Sequence, residues 1–221
     1  MKQELLNNLD LLIGNFDANK YKIETLLAGV LLDEGFGNAI LYSGSFSCIC
    51  SSSRENRIRL YDILLNKSRN LNQDTALQYK LFREAYIMTD NIYAQLQQCS
   101  SPIKDIQTYI ADICQKVNAY NMMSHHEKQY YDNLPTTFTI YRGMSQSETN
   151  SKLLGISWTN DKQRASNYVY YTKNNVPSGY GVIAETIIQK KDILTIYGAD
   201  GLDCEIIVSP SFSNVKFVSY P

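Results

Sequence analysis

The chain has 221 residues and a formal net charge of -1, with 44% hydrophobic residues. That length accommodates one sizeable domain, or a catalytic domain with a helical extension. The charge supplies no global basic field for non-specific nucleic-acid binding. The opening stretch, MKQELLNNLDLLIGNF, has no uninterrupted apolar core of the signal-peptide type. LLAGVLL at 26–32 is too short to cross a bilayer. A cytoplasmic protein with no membrane partner is therefore expected, or one that reaches a host cytoplasm by delivery.

Residues 1 to about 134 read mainly as helices. Residues 33–53, with GFGNAILYSGSFSCICSSS, read as a loop with a short strand at 39–43. A helix is expected over about 55–67, around Leu60, Ile63 and Leu64, and a second from Asp74 to Gln98, with Leu77, Leu81, Ala85 and Leu96 on its core face. The clearest periodicity lies at 102–119. Ser101 caps, Pro102 suits the first turn, and Ile103, Ile106, Ile110, Ile113 and Val117 recur at spacings of three and four. Ser124 and Glu127 have the spacing of a capping box, which predicts a short helix toward Tyr131.

The period changes after Pro135. Short β-rich runs are expected at 137–142, 155–159, 181–188, 193–197, 203–208 and 215–219, with one helix at 161–171 capped by Asp161. The fold class is α+β: a mainly helical region over 1–134, then a β-rich region over 135–221. No flexible linker separates them. The five cysteines are irregularly spaced and contain no CxxC pair, which suits reduced, cytosolic usage. His125 and His126 are the only histidines. Adjacent helical positions point in different directions, so no metal site is expected. The 17 tyrosines suit packing with a hydrogen-bonded hydroxyl more than a binding surface.

Three polar constellations fall on three predicted strands. Tyr141-Arg142-Gly143 closes the first. In Gly155-Ile156-Ser157-Trp158-Thr159, alternation puts Ser157 and Thr159 on one face and Ile156 and Trp158 on the other. In Asp203-Cys204-Glu205-Ile206-Ile207-Val208, two carboxylates share a face and repel each other, an arrangement that is costly if buried without partners. Each motif alone also reads as an ordinary strand end or solvent face.

Their order is an arginine, then Ser-x-Thr before a helix, then acidic-x-Glu on a late strand. It resembles the mono-ADP-ribosyltransferases of the arginine–serine–glutamate class, the class of cholera toxin and the C3-like toxins. The resemblance covers roughly 137–209, carried by YRG at 141–143, GISWTND at 155–161 with Ala165 and Tyr168 beyond it, and DCEIIV at 203–208. It implies a split pair of small sheets around a cleft that binds NAD as co-substrate, without a metal. Arg142 would contact NAD phosphate and ribose, where a planar fork suits phosphate oxygens. Gly143 would let the backbone reach the nicotinamide amide. The hydroxyls of Ser157 and Thr159 would brace the cleft and help orient Glu205. Tyr168 would stack near the nicotinamide or pack on the sheet.

Glu205 would be the catalytic carboxylate, stabilising positive charge on the ribose as nicotinamide leaves. Asp203 stands where the family carries glutamate or glutamine, and would position or activate the acceptor. The preceding segment, Tyr197 to Leu202, lies where the family has its target-recognition turn. The function implied is transfer of ADP-ribose to a macromolecule, as in a toxin, a phage-encoded modifier or a defence effector; protein and nucleic acid are both open as acceptor, and the near-neutral charge slightly favours protein. NAD glycohydrolysis and a non-catalytic NAD-fold binding module stand as alternatives. The helical half would dock a target or other partner, cap the NAD cleft or bind an inhibitor.

Overall fold

A computed structural model describes residues 49–50, 54, 56–87, 89, 96, 99, 105–144, 146–151, 154–175, 181–199, 204–208 and 214–219. The strand expected at 39–43, the cap at Ser101 and Pro102, and Ile103 lie outside them. The chain forms two compact units, Met1–Val117 and Asn118–Pro221.

The described part of the first unit is helical. It contains α1 (Arg57–Lys67), α2 (Arg69–Gln73), α3 (Thr75–Ile87) and α4 (Ile106–Val117). Side chains stop and restart the chain between helices. Ser68 Oγ accepts from Leu71 N at 3.2 Å to cap α2, and Asp74 Oδ1 accepts from Leu77 N at 3.0 Å to cap α3. The expected apolar positions Leu60, Leu64, Leu77, Leu81, Ala85, Leu96, Ile106, Ile110 and Ile113 are buried. Ile63 and Val117 are half-buried. Tyr61, Phe82 and Tyr109 join that core edge to face, and the Tyr61 and Tyr109 hydroxyls share a hydrogen bond of 2.5 Å.

The second unit begins at Asn118, whose φ of 50° is left-handed and turns the chain out of α4. α5 (Ala119–Met122) and α6 (His125–Asn133) follow. The division therefore falls earlier than the expected change near 134. The reason is packing: Met123, Leu134, Tyr130 and Tyr131 belong to the same core as the strands. The predicted capping box is present. Ser124 Oγ accepts from Glu127 N, and Glu127 Oε2 accepts from Ser124 N at 2.8 Å. Glu127 is fully buried, and its other oxygen accepts from Gly198 N at 3.1 Å, so one carboxylate ties the start of α6 to the residue that follows β4.

Then come β1 (Thr137–Met144), α7 (Gln146–Ser151), β2 (Ser157–Trp158), α8 (Lys162–Asn175), β3 (Val182–Gln189), β4 (Ile193–Tyr197), β5 (Glu205–Val208) and β6 (Lys216–Ser219). They make two antiparallel three-stranded sheets, ordered β1-β3-β6 and β2-β5-β4. One backbone bridge joins them: Tyr141 N donates to Thr159 O at 2.7 Å, and Thr159 N donates to Tyr141 O at 2.9 Å.

Alternation along β1 separates two environments. Ile140 and Met144 enter a core with Trp158, Ala184, Ile196, Ile206 and Val208. Tyr141, and Ile183 which stands opposite Gly143 on β3, instead meet Ala165 and Val169 of α8. Asp161 caps that helix as expected, its Oδ1 accepting from Gln163 N at 2.9 Å and Arg164 N at 3.2 Å. Gly143 lies on the α8 side. A Cβ built there would sit 2.0 Å from Ala165 O and 2.9 Å from Val169 N. These are backbone atoms of a packed helix and cannot rotate away. Gly143→Ala should therefore destabilise the second unit by about 3 kcal/mol, the upper end for overpacking a core. Chemical denaturation checks this; an unchanged midpoint would show that α8 is not seated on β1.

Candidate active site

The eight-residue span of β1 carries Arg142 to the edge of the first sheet, on the same side as Ile140 and Met144. There its guanidinium crosses to the second sheet. Nη1 donates to Ser157 O at 2.8 Å. Nε donates to Glu148 Oε1 at 2.8 Å, and Nη2 donates to Glu148 Oε2 at 3.2 Å. This is a fork-on-fork ion pair, and the Arg142 and Glu148 side chains are only 17% and 12% exposed. Glu148 sits in the first turn of α7, and its Oε1 also accepts from Gly155 N at 2.8 Å.

Gly155 is shaped by the same arginine. A Cβ there would lie 2.3 Å from Nη2 and 2.5 Å from Cζ of Arg142, a group held by three hydrogen bonds. Glycine at 155 thus lets the guanidinium lie against the chain. Trp158 Nε1 donates to Gly155 O at 2.9 Å, and its ring is buried, so the strand is anchored from below. Ser157 then projects from the opposite face. Its Oγ donates to Glu205 Oε2 at 2.8 Å. β2 and β5 pair Ser157 with Ile207, so Ser157 and Glu205 are diagonal neighbours across the pair. Glu205 is half-buried at the start of β5.

Arg142, Ser157 and Glu205 are thus joined in one hydrogen-bonded chain. Two other residues have different local jobs from those expected. Thr159 is buried, and its Oγ1 accepts from Asp161 N at 3.1 Å, so that hydroxyl turns the chain into α8. The absence of a side chain at Gly143 is required by α8, as described above; any contact with a ligand would come from its backbone. Tyr168 is 42% exposed on α8. Asp203 lies outside the described residues, as do positions 200–202 of the expected recognition turn.

Sequence reasoning missed Glu148. Ser145 and Glu148 have capping-box spacing, which signals a helix start. Nothing in that spacing marks the carboxylate as a partner for Arg142. Among the described residues there is no group of three or more His, Cys, Asp and Glu side chains that could hold a metal ion. No helix among them is long and apolar enough to cross a membrane.

Beside Glu205, Cys204 is buried in the core against which Tyr130 packs, and the Tyr130 hydroxyl donates to Asn160 Oδ1 at 2.7 Å. Burial pushes the Cys204 thiol up to about 11, with smaller opposing contributions from Tyr130 and Arg164. Burial also pushes the Tyr130 hydroxyl up, as does its neighbour Cys204. A raised thiol value favours the protonated folded form. The stability it contributes is complete below the unfolded value near 9 and is lost as pH rises through about 11.

Comparisons with known proteins found no matching family model, no matching curated protein and no matching solved structure.

The Cys204 environment gives a direct check on this half of the site. At pH 8 the native thiol should alkylate about a hundredfold more slowly than the same thiol in urea, because the thiolate is the reacting form. Peptide-resolved mass spectrometry with iodoacetamide measures this. Equal rates would show that the start of β5 is open.

Proposed function

We propose that the second unit is an NAD-dependent mono-ADP-ribosyltransferase, moving ADP-ribose to a macromolecular acceptor with release of nicotinamide. The observation that carries this reading is the hydrogen-bonded chain from Arg142 through Ser157 to Glu205, which spans two small antiparallel sheets. Arginine, serine and glutamate are the three residues that the sequence resemblance selects, and they come from three different strands to one place. An ordinary solvent face of a strand has no need for such a link.

The chemistry fits the groups. The bond between the ribose anomeric carbon and the nicotinamide nitrogen breaks, and its electron pair leaves with nicotinamide as a neutral amide. Positive charge grows on the ribose, and a carboxylate beside it lowers the barrier. Glu205 supplies that charge. Ser157 donates to one of its oxygens, which fixes its rotamer and so the direction in which the carboxylate meets the ribose. A nucleophile on the acceptor then bonds to the anomeric carbon and gives up its proton to solvent water. Arg142 contributes first by bracing β1 against β2, since its charge is already paired with Glu148. A diphosphate would meet the outer edge of that pair, not an isolated cation.

The test uses purified full-length protein, labelled NAD and a cell lysate, with Glu205→Gln as the control. Glu205→Gln keeps the size and one hydrogen-bond acceptor but removes the charge. It should fold as wild type and lose about 10²–10³ in turnover, as for other removed electrostatic stabilisers. A labelled macromolecule seen with wild type alone supports transfer. Nicotinamide release with no labelled acceptor points to glycohydrolysis. Full activity in Glu205→Gln would remove this residue from the mechanism.

A further inference from the structure

We propose that Glu148 is a positioning residue for Glu205, acting through Arg142 and Gly155; this rests on the NAD-cleaving reading above. Glu148 reaches the second sheet by two routes that share one oxygen. Oε1 accepts from Arg142 Nε and from Gly155 N, both at 2.8 Å. The first route continues from Arg142 Nη1 to Ser157 O, and the second runs along the backbone from Gly155 to the same serine. Both end at the Ser157 hydroxyl, 2.8 Å from Glu205 Oε2.

The geometry transmits orientation and not merely charge. A guanidinium is planar, and its donors have fixed directions. Glu148 engages one edge of the fork through two nitrogens, and Ser157 O engages the third. Gly155 lies close against the group, leaving no room for even a methyl. Once Glu148 sets the edge, the plane is set and the position of Ser157 follows. The carboxylate is 12% exposed, so the pair is little screened by water.

Steady-state nicotinamide release from NAD, measured on the full chain, tests this. Glu148→Gln keeps the shape but turns an amide NH₂ or a single oxygen toward a fork that needs two acceptors. The expected result is a drop in kcat of about 10–100-fold with KM within about threefold, the signature of misplaced catalytic geometry. Ser157→Ala should lower kcat similarly. The double variant should be no worse than the worse single, because both act on the orientation of Glu205. A change in fold stability alone would not produce that coupling at temperatures where all variants are folded.

Glu148→Gln with kcat within twofold of wild type overturns the proposal. So does a raised KM at unchanged kcat, which would make the pair a binding element, or losses that multiply in the double variant. Should Glu148→Gln fail to fold, Glu148→Asp carries the test: its shorter arm keeps the charge and misplaces the fork, and a wild-type kcat overturns the role. Glu205→Gln separates the two readings. An inactive Glu205→Gln beside a fully active Glu148→Gln overturns the positioning role alone. Absence of nicotinamide release from wild type, or full activity in Glu205→Gln, overturns the NAD reading and this role with it.

Discussion

A guanidinium that is taken mostly out of water must find its partners inside the protein, and Arg142 is under that constraint. It leaves one sheet, meets a carboxylate from α7, and reaches a carbonyl of the other sheet. Removing either charge would leave the other uncompensated in a largely enclosed place, an arrangement far more costly than losing an exposed pair. The ion pair therefore specifies more than it stabilises. It fixes how far β1 stands from the 155–157 segment, and so where a serine hydroxyl meets the glutamate on β5. The backbone bridge between Tyr141 and Thr159 sets the same separation one residue away, through main-chain atoms alone. Two devices of different chemistry act at one corner.

Below that corner the packing is conventional and firm. Trp158 fills the core with Ile140, Ile196 and Ile206, while its indole N–H finds Gly155 O. On the outer side of β1, α8 comes close enough to exclude any side chain at 143. β1 is thus held on both faces, and Arg142 projects from a strand with little freedom to shift.

Much of this was legible in the sequence because it depends on neighbours along the chain. Alternation placed Ser157 and Trp158 on opposite faces, Ser124 and Glu127 announced their helix, and Asp161 announced α8. The strands at 137–144, 182–189 and 193–197 lie close to where their β-branched and aromatic runs predict them. What stayed hidden depends on contacts between distant segments. Glu148 is an ordinary helix-start glutamate until β1 and β2 are brought together. Gly143 looked like a residue cleared for a ligand, whereas the backbone of α8 accounts for the missing Cβ. Thr159 carries the same alternation as Ser157, but its hydroxyl is engaged by the turn that follows. Residues 119–133 have helical periodicity like the first unit, and only their burial against β-strand residues shows that they belong to the second.

The buried carboxylate of Glu127 has a consequence for the segment between β4 and β5. Gly198, with its left-handed φ of 69°, is moored to that carboxylate, and Glu205 is moored to Ser157. The stretch in between is a span with two independent abutments. Gly198 and Glu205 each draw a hydrogen bond from a partner outside the span, so a change of sequence within it leaves both of those donors and acceptors in the chain.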